Sequence, residues 1–279
     1  MIRVYLSANG DPVHDKCLEA AYQTGKSLDG DIQMVSAGDY HPSDVAVVFG
    51  VGKKAIPFTK HRARVIAEQK ARNLITVIID SGYVRRDEQS GGPYFSVGLN
   101  GLNGWADFKN EGMPDDRWRD LGIELKPWKK GGECVVLCGQ VPWDASVQHT
   151  DHINWLAEAA CLIQLQDWGN LVFRPHPKAQ NIASLALKSW CDEISFRPLE
   201  ADLERARAFV CYNSNAGVDA IINGVPVIGL GEGDMYGDVA SRDAGELKFE
   251  ERTRWAADLA YTQWRPDEFD GAWKHLFGA

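Results

Sequence analysis

One stretch in the second half of the sequence constrains the local fold more tightly than any other. An apolar run at 208–212 is followed by the small polar residues of 213–217, a short apolar segment and Gly224. A second apolar run then starts at 225–228 with an embedded proline. This pattern predicts a strand, a turn, a short helix ended by the glycine, and a further strand. Such a unit is typical of α/β proteins.

The turn and the helix after it offer a place for a phosphate group. A Ser/Asn/Gly turn that opens a helix presents backbone N–H groups and the positive end of the helix dipole. Ser214, Asn215 and Gly217 form this turn. Asp219 follows one helical turn later, where a carboxylate can reach ribose hydroxyls. The alternative is an ordinary strand-turn-helix unit that binds no ligand.

A basic motif flanked by prolines lies upstream in the same half. The apolar run 171–173 is followed by Arg174, His176 and Lys178, with a proline on each side of the histidine. The prolines fix φ and remove two backbone donors, so the chain leaves the strand in a rigid, extended form. Arginine offers phosphate a planar fork of donors, and lysine offers a point charge. The alternative is that Arg174 and His176 only cap strands.

These two motifs resemble the donor half of GT-B glycosyltransferases. In the plant-type UDP-sugar transferases and the peptidoglycan N-acetylglucosaminyltransferase, a Ser/Gly turn opens a helix whose acidic residue holds the ribose. Asp219 precedes Gly224-x-Pro226 with the spacing of those enzymes, and replaces their usual glutamate. Bacterial capsule-type transferases and sialyltransferases carry a His-Pro pair at the donor phosphate, similar to His176-Pro177. The resemblance implies two Rossmann-like α/β domains that face a cleft, and a nucleotide-sugar donor, with a UDP-sugar expected.

The predicted donor site collects residues from the loops that follow several strands of the second half. Its members are Gln140, Ser146, Arg174, His176, Lys178, Ser214, Asn215, Gly217, Asp219 and Asp234. Gln140 and Ser146 follow the first strand of this half, where the doubly wound fold places ligands. Asp234 lies in the loop 231–238, which related transferases use to hold sugar hydroxyls. The alternative for that loop is a solvated acidic surface.

Catalytic candidates lie in the first half of the chain. Transfer to a hydroxyl by direct displacement needs a base within hydrogen-bond reach of the acceptor. The resemblance implies His14, because plant-type transferases carry a histidine in the loop after the first strand. Asp80 and Asp107 are rival candidates. The alternative is that His14 is a polar cap, and a retaining enzyme would need no such base.

Apolar runs and helical segments alternate along both halves. The runs at 2–6, 44–50 and 74–80 predict strands of a mostly parallel sheet. The aromatic, glycine-rich segment 81–130 breaks this alternation, and its stretch 98–104 indicates loops or turns.

The length of 279 residues suffices for two domains. We expect an acceptor-side Rossmann-like domain at 1–130 and a nucleotide-sugar-binding Rossmann-like domain at 131–250. A helical tail follows at 251–279. In GT-B proteins the last helix often crosses back onto the first domain, and this tail is expected to do so.

Composition argues against several kinds of protein. Neither a signal peptide nor an apolar run long enough to span a membrane is visible. Cys134 and Cys138 form a C-x3-C pair that could suggest a metal, but no second Cys/His pair lies nearby in the sequence. Reduced, buried thiols are the preferred interpretation. We therefore expect a cytoplasmic protein, in the host cytoplasm if phage-encoded, with no bound metal or cofactor.

The charge distribution bears on the acceptor. The net charge of −9 argues against a generic nucleic-acid binder, yet the run 53–72 carries seven Lys/Arg against Glu68 alone. A solvated helix face would explain that run equally well. The segment 94–108 resembles one seen in phage-encoded proteins, and phages use GT-B enzymes to glycosylate hydroxymethylated pyrimidines in DNA. The acceptor predicted on this basis is a 5-hydroxymethylpyrimidine in double-stranded phage DNA.

Three alternatives stay open at this point. Within the same class, the acceptor could be a capsule or cell-surface saccharide. Outside it, a sugar-nucleotide epimerase uses the same donor half but needs no acceptor, and a non-catalytic module would bind the nucleotide without turnover.

Overall fold

The chain forms two compact units. The computed structural model describes residues 1–7, 10–27, 30–36, 38–52, 59–147, 149–181 and 187–278. Unit 1 comprises Met1–Arg117 and Ala257–Ala279, and unit 2 comprises Trp118–Ala256. Each unit is an α/β structure built on a mostly parallel sheet. The predicted class of two Rossmann-like domains is confirmed.

The regular elements of the described residues are numbered along the chain. The strands are β1 (Ile2–Tyr5), β2 (Ile32–Val35), β3 (Val45–Phe49), β4 (Ile75–Ser81), β5 (Phe95–Leu99), β6 (Cys134–Cys138), β7 (Asn170–Arg174), β8 (Glu193–Ile194), β9 (Ala206–Cys211), β10 (Val227–Gly229) and β11 (Gln263–Trp264). The helices are α1 (Pro12–Ser27), α2 (Lys60–Ala71), α3 (Asp116–Leu121), α4 (His152–Gln164), α5 (Leu199–Arg205), α6 (Asn215–Ile222), α7 (Thr253–Ala260) and α8 (Phe269–Phe277).

Unit 1 contains a sheet with the strand order β11-β5-β4-β3-β1-β2. Strands β1 to β4 pair in parallel, whereas β5 runs antiparallel to β4 and β11 antiparallel to β5. Because β2 and β3 lie on opposite sides of β1, the chain reverses its direction of winding there. The carboxyl ends of β1 and β3 are therefore the topological switch point, where doubly wound folds bind ligands.

The end of the chain contributes to the core of unit 1. Phe269, Trp273 and Leu276 of α8 lie in the same buried cluster as Leu18 of α1 and Val77 of β4. Burial of these large apolar side chains stabilises the packing of the terminal helix on unit 1.

The segment that sequence patterns assigned to loops contains a buried strand. Gly98 and Leu99 belong to β5, and the prediction of a loop there was wrong. A Cβ atom on Gly98 would lie 2.6 Å from the ring of Phe108. The glycine is needed so that Phe108 can pack on the strand, which is a packing requirement and not a turn signal.

The division between the units falls before Trp118, upstream of the predicted boundary near 130. Trp118 is buried, and its ring centroid lies 6.5 Å from that of Trp255, within unit 2. This aromatic contact joins Trp118, within α3, to unit 2, although α3 precedes the first strand of that unit.

Unit 2 contains an all-parallel sheet with the order β10-β9-β6-β7-β8. The predicted strand-turn-helix-strand unit is present as β9, α6 and β10. Gly224, after α6, has a φ of 74°, and a Cβ atom there would lie 2.1 Å from the carbonyl oxygen of Pro127. Only glycine fits this left-handed, closely approached position.

Candidate functional site

The carboxyl ends of three strands lie side by side in unit 2. Cys138, the last residue of β6, is in register with Arg174 on β7 and with Cys211 on β9. Strands β7 and β8 lie on one side of β6, and β9 and β10 on the other, so this edge is the switch point of the sheet. The structure therefore brings the motif 174–178 and the turn 213–219 to one edge.

The turn between β9 and α6 is a capped helix N terminus. Ser214 is the N-cap, and its Oγ accepts a hydrogen bond from the Ala216 N–H at 3.3 Å. Asn215 and Asp219 lie half-buried on α6, and Gly217 packs against the ring of Tyr236. The cap orders the first turn and presents the positive end of the helix dipole at the ligand edge.

Tyr236 holds this turn in place through its hydroxyl group. Its hydroxyl donates to the Ser214 carbonyl oxygen at 2.5 Å, and its Oη lies 3.0 Å from Cys211 Sγ. Burial raises the pKa of Tyr236 well above its ordinary value, so the phenol remains a donor at neutral pH. The position of the turn thus depends on a residue from the loop after β10.

Arg174 is held by a buried carboxylate. Its Nη1 donates to Asp202 Oδ2 at 2.7 Å and to the carbonyl oxygen of Arg197. Asp202 is fully buried, and its Oδ1 accepts from the Ser195 hydroxyl at 2.7 Å. These contacts give Arg174 a clear role in positioning the exit of β7.

His176 presents a neutral N–H group at the same edge. Its Nδ1 accepts from the Lys178 backbone N–H at 3.1 Å, so the proton of the neutral ring is on Nε2. Burial lowers the pKa of His176, and the nearby cations of Lys178 and Arg174 act in the same direction against Asp144. The side chain of Lys178 is exposed.

Two amide side chains fasten the loops together at the switch point. Gln140 Nε2 donates to Asn213 Oδ1 at 2.8 Å, and the Asn213 N–H donates to Gln140 Oε1 at 3.1 Å. Asn213 Nδ2 donates to the carbonyl oxygens of Ser146 and Glu232. Both amides are thus engaged with protein groups. Asn213 was missed by sequence reasoning, because an asparagine after a strand indicates only a turn.

Ser146 and Asp234 are also engaged within the loops. The Ser146 hydroxyl donates to Asp144 Oδ1 at 2.8 Å. Asp234 forms a double contact with the guanidinium of Arg242 and accepts from the Tyr236 N–H at 2.8 Å. Its side chain is only 3% exposed. Asp234 therefore orients Tyr236, and through it the turn before α6.

His152, which no sequence pattern singled out, supports the loop after β6. Its Nε2 accepts from the Gln140 backbone N–H at 2.9 Å, and its ring stacks on Trp155 with centroids 5.3 Å apart. The residue is 1% exposed, and burial lowers the pKa of His152 to about 4. The neutral imidazole is the form that accepts this hydrogen bond.

We expect His152 to make folding stability depend on pH. Its pKa falls from 6.5 when unfolded to about 4 when folded, so the unfolded chain binds one more proton between these values. The free energy of unfolding should therefore fall by about 2–3 kcal/mol as pH drops from 7 to 4. Urea unfolding of wild type and His152→Gln at both pH values measures this. The glutamine variant can still accept from Gln140 but should lack this part of the loss; equal losses would contradict the assignment.

A second polar cluster lies at the switch point of unit 1. Arg62 Nη2 lies 2.9 Å from Ser7 Oγ and 3.4 Å from His14 Nδ1, and the His14 ring stacks on Phe49 at 3.9 Å. A guanidinium only donates, so Nδ1 is the acceptor and Nε2 carries the proton, 3.8 Å from Asp11 Oδ2. Burial lowers the pKa of His14, against the opposing charge of Asp11.

Only one of the two rival carboxylates belongs to this cluster. A Cβ atom on Gly50 would lie 3.1 Å from Arg62 Nη1 and 3.6 Å from Asp80 Oδ2, which places both groups at the end of β3. Asp107 is bridged to Leu99 at the end of the antiparallel strand β5, and its carboxylate pairs with Lys109 at 2.6 Å. Asp107 therefore lies at the opposite end of the sheet from His14.

The basic run 53–72 does not form one exposed face. Its members Lys53 and Lys54 lie outside the described residues. Arg62 is only 6% exposed and its guanidinium contacts Ser7 and His14, while Arg72 pairs with Glu68 at 2.5 Å. Arg62 therefore belongs neither to a solvated helix face nor to a surface for a polyanionic acceptor, because its burial is decided by the neighbouring strands.

The described part of the chain offers neither a cluster of metal ligands nor a membrane-spanning helix. It holds no group of three or more His, Cys, Asp or Glu residues suited to a metal ion, and the cysteines are free thiols. It also holds no helix with the length and apolar character needed to cross a membrane.

The fold is similar to that of two solved glycosyltransferases. No family model matches the chain, and no curated protein is similar to it in sequence. The Thermosulfurimonas dismutans KpsC beta Kdo 2,4 transferase aligns over 92% of this chain and 89% of that chain, with a TM-score of 0.60 and 15% identity. The KpsC beta Kdo 2,7 transferase of the same organism aligns over 91% and 95%, with a TM-score of 0.53 and 13% identity. The chain therefore has a GT-B-like fold.

Proposed function

We propose that this protein is a glycosyltransferase that moves a sugar from a nucleotide-sugar donor to a hydroxyl group, and that unit 2 binds the donor. The observation that carries the proposal is the register of β6, β7 and β9, which sets His176 on the same edge as the N terminus of α6. A neutral N–H donor and a helix N terminus on one edge suit a diphosphate. The fold of the two KpsC Kdo transferases supports the same class of reaction.

The chemistry of the transfer explains this choice of groups. The acceptor oxygen forms a bond to the anomeric carbon while the bond to the phosphate oxygen breaks, so negative charge grows on the leaving nucleotide. The Nε2–H of His176, the dipole of α6 and the exposed ammonium of Lys178 can stabilise that charge. Asp219, half-buried on α6, is our candidate for the ribose hydroxyls.

For the acceptor side we propose the cluster of unit 1. Because His14 Nδ1 faces Arg62 and its Nε2 carries the proton, the imidazole acts as a donor in this arrangement. The carboxylates of Asp11 and Asp80 are then the groups able to accept a proton from a hydroxyl. His14 would orient Asp11, and Asp107 has no part in this site.

We favour a saccharide over DNA as the acceptor. The two features that suggested DNA are explained in part by packing, since Arg62 is buried and Phe95 and Phe108 lie in the core, whereas Trp105 is 42% exposed. A saccharide acceptor also agrees with the Kdo transferase fold. A 5-hydroxymethylpyrimidine in phage DNA is the second candidate and is included in the test.

The test is a donor-by-acceptor screen of the whole chain. UDP-, GDP-, CMP- and dTDP-sugars are incubated with oligosaccharides, with hydroxymethylated duplex DNA or without acceptor, and the products are identified by mass spectrometry. A glycosylated saccharide would support the proposal, and a DNA adduct would replace its acceptor. An altered sugar nucleotide without acceptor would indicate an epimerase. Binding without any product would indicate a non-catalytic module.

We expect His176→Ala to lower nucleotide affinity by about 10- to 100-fold, the loss typical of a hydrogen bond to a charged group. Its melting temperature should change little, because the ring accepts only one backbone hydrogen bond. Calorimetry with the nucleotides of the screen measures the affinity. Lys178→Met tests the proposed role of the Lys178 ammonium in the same assay. Lys188→Met, which removes another exposed lysine of unit 2, is its control. Unchanged affinity of the His176 variant would remove it from the donor site.

A further inference from the structure

Trp143 is a large apolar side chain held out at the ligand edge of unit 2, with 52% of its surface exposed. The loop that carries it is fastened on both sides. The Asp144 N–H donates to the Val141 carbonyl oxygen at 2.9 Å, and the Ser146 N–H donates to Asp144 Oδ1 at 2.9 Å. Asn213 Nδ2 then donates to the Ser146 carbonyl oxygen at 2.9 Å. An exposed tryptophan on a rigid loop costs little further ordering when a ligand covers it.

The position of this loop indicates which part of a nucleotide sugar Trp143 would contact. The loop starts beside β7, because the Gly139 N–H donates to the Arg174 carbonyl oxygen at 2.9 Å, and its far end is held by Asn213 after β9. The carboxylate of Asp144, the residue next to Trp143, raises the pKa of His176 against the larger effect of burial, which agrees with this placement. Asp219, the proposed ribose contact, belongs to α6, which follows β9 on the other side of β6.

In a nucleotide sugar the phosphates lie between the ribose and the transferred sugar. If the ribose lies toward α6 and the phosphates lie at His176, the sugar extends toward the β6–β7 side of the edge. We propose that the indole of Trp143 stacks on a sugar ring, supplied by the donor or by the acceptor saccharide. This proposal rests on the proposed function. One face of a sugar ring consists of C–H groups, and the indole offers a rigid apolar face that is fixed by two torsions.

The direct test observes the Trp143 ring during titration. The whole chain is labelled with 5-fluorotryptophan, and the Trp143 resonance is assigned by its absence in Trp143→Phe. We expect this fluorine signal to shift with nucleotide sugars of the screen, or with a free oligosaccharide, and to remain in place with the nucleotide alone. A shift with the sugar nucleotide identifies the donor sugar as the source, and a shift with the oligosaccharide alone identifies the acceptor.

Affinity provides the second measurement. Trp143→Ala should weaken binding of the sugar-bearing ligand by about tenfold and leave the affinity for the bare nucleotide unchanged. Trp143→Phe should retain most of the affinity. Trp190, 39% exposed and placed before β8 at the amino end of the sheet, supplies the matched control Trp190→Ala, which should change neither affinity.

The outcomes separate the two proposals. If no nucleotide binds the wild-type chain, the donor site fails, and the oligosaccharide titration still tests Trp143. An equal shift with bare nucleotide and nucleotide sugar would overturn the sugar assignment in favour of a nucleobase or phosphate contact. A signal that responds to no sugar-bearing ligand would overturn it outright.

Discussion

Gly217→Ala should lower the affinity for the donor nucleotide by about 100-fold and the free energy of unfolding by about 3 kcal/mol. An added Cβ atom would lie 2.5 Å from Cζ and from the hydroxyl oxygen of Tyr236. Neither side can move easily, because Tyr236 is buried and its hydroxyl holds the Ser214 carbonyl oxygen. We expect α6 to shift, and its N terminus to leave the ligand edge. Calorimetry and urea unfolding measure the two losses.

A second background decides whether this clash is the cause. In the Tyr236→Ala protein the ring is absent, so Gly217→Ala should become stabilising by about 0.5–1 kcal/mol, the ordinary preference of a helix for alanine over glycine. Gly131→Ala is the matched control, because a Cβ atom there meets nothing within 4 Å. If Gly217→Ala costs as much without the ring as with it, the contact with Tyr236 does not explain the glycine.

Asp202→Ala should destabilise unit 2 by about 3–5 kcal/mol, the cost typical of removing one partner from a buried ion pair. The variant leaves Arg174 without its carboxylate and the Ser195 hydroxyl without its acceptor. The exit of β7 is built on these two contacts, so we also expect weaker nucleotide binding through a displaced His176. Urea unfolding followed by tryptophan fluorescence measures the stability.

Two further variants separate charge from size at this position. Asp202→Asn keeps the volume and an acceptor for Ser195, and should cost less than the alanine variant. Arg174→Met in the Asp202→Ala background removes the unpaired guanidinium and should restore part of the loss. Glu204→Ala, an exposed carboxylate two positions further on α5, is the control and should cost less than 0.5 kcal/mol. A loss below about 1 kcal/mol for Asp202→Ala would show that the buried pair contributes little.

The elements around the donor turn could be predicted from the sequence because their signals are local. The apolar run of β9, the serine cap of α6 and the glycine after it lie within 20 residues of one another. Hydrophobic periodicity, capping and turn preference act over that range. The same reasoning predicted strands β1, β3 and β4 and the parallel winding of both sheets.

The same reasoning failed where packing between separate segments of the chain decides. Gly98 indicates a turn by itself but forms part of β5 because Phe108 needs its space. Arg62 belongs to a charged run, yet α2 turns its guanidinium toward Ser7, 55 positions earlier. No pattern in the residues next to Gly98 or Arg62 predicts that Phe108 packs on the glycine or that Ser7 contacts the guanidinium.

The sequence by itself determined the strands and helices with strong local signals, such as β9 and α6, and the loops that follow the carboxyl ends of those strands, because these depend on neighbours along the chain. Only the tertiary structure decided how the polar residues of those loops are used. The sequence indicates Gln140 as a ligand contact, and only the structure shows that its amide exchanges two hydrogen bonds with Asn213, 73 positions away. How much hydrogen-bonding capacity a side chain keeps for a ligand depends on the protein groups around it, and those groups come from strands that the sheet, and not the sequence, makes adjacent.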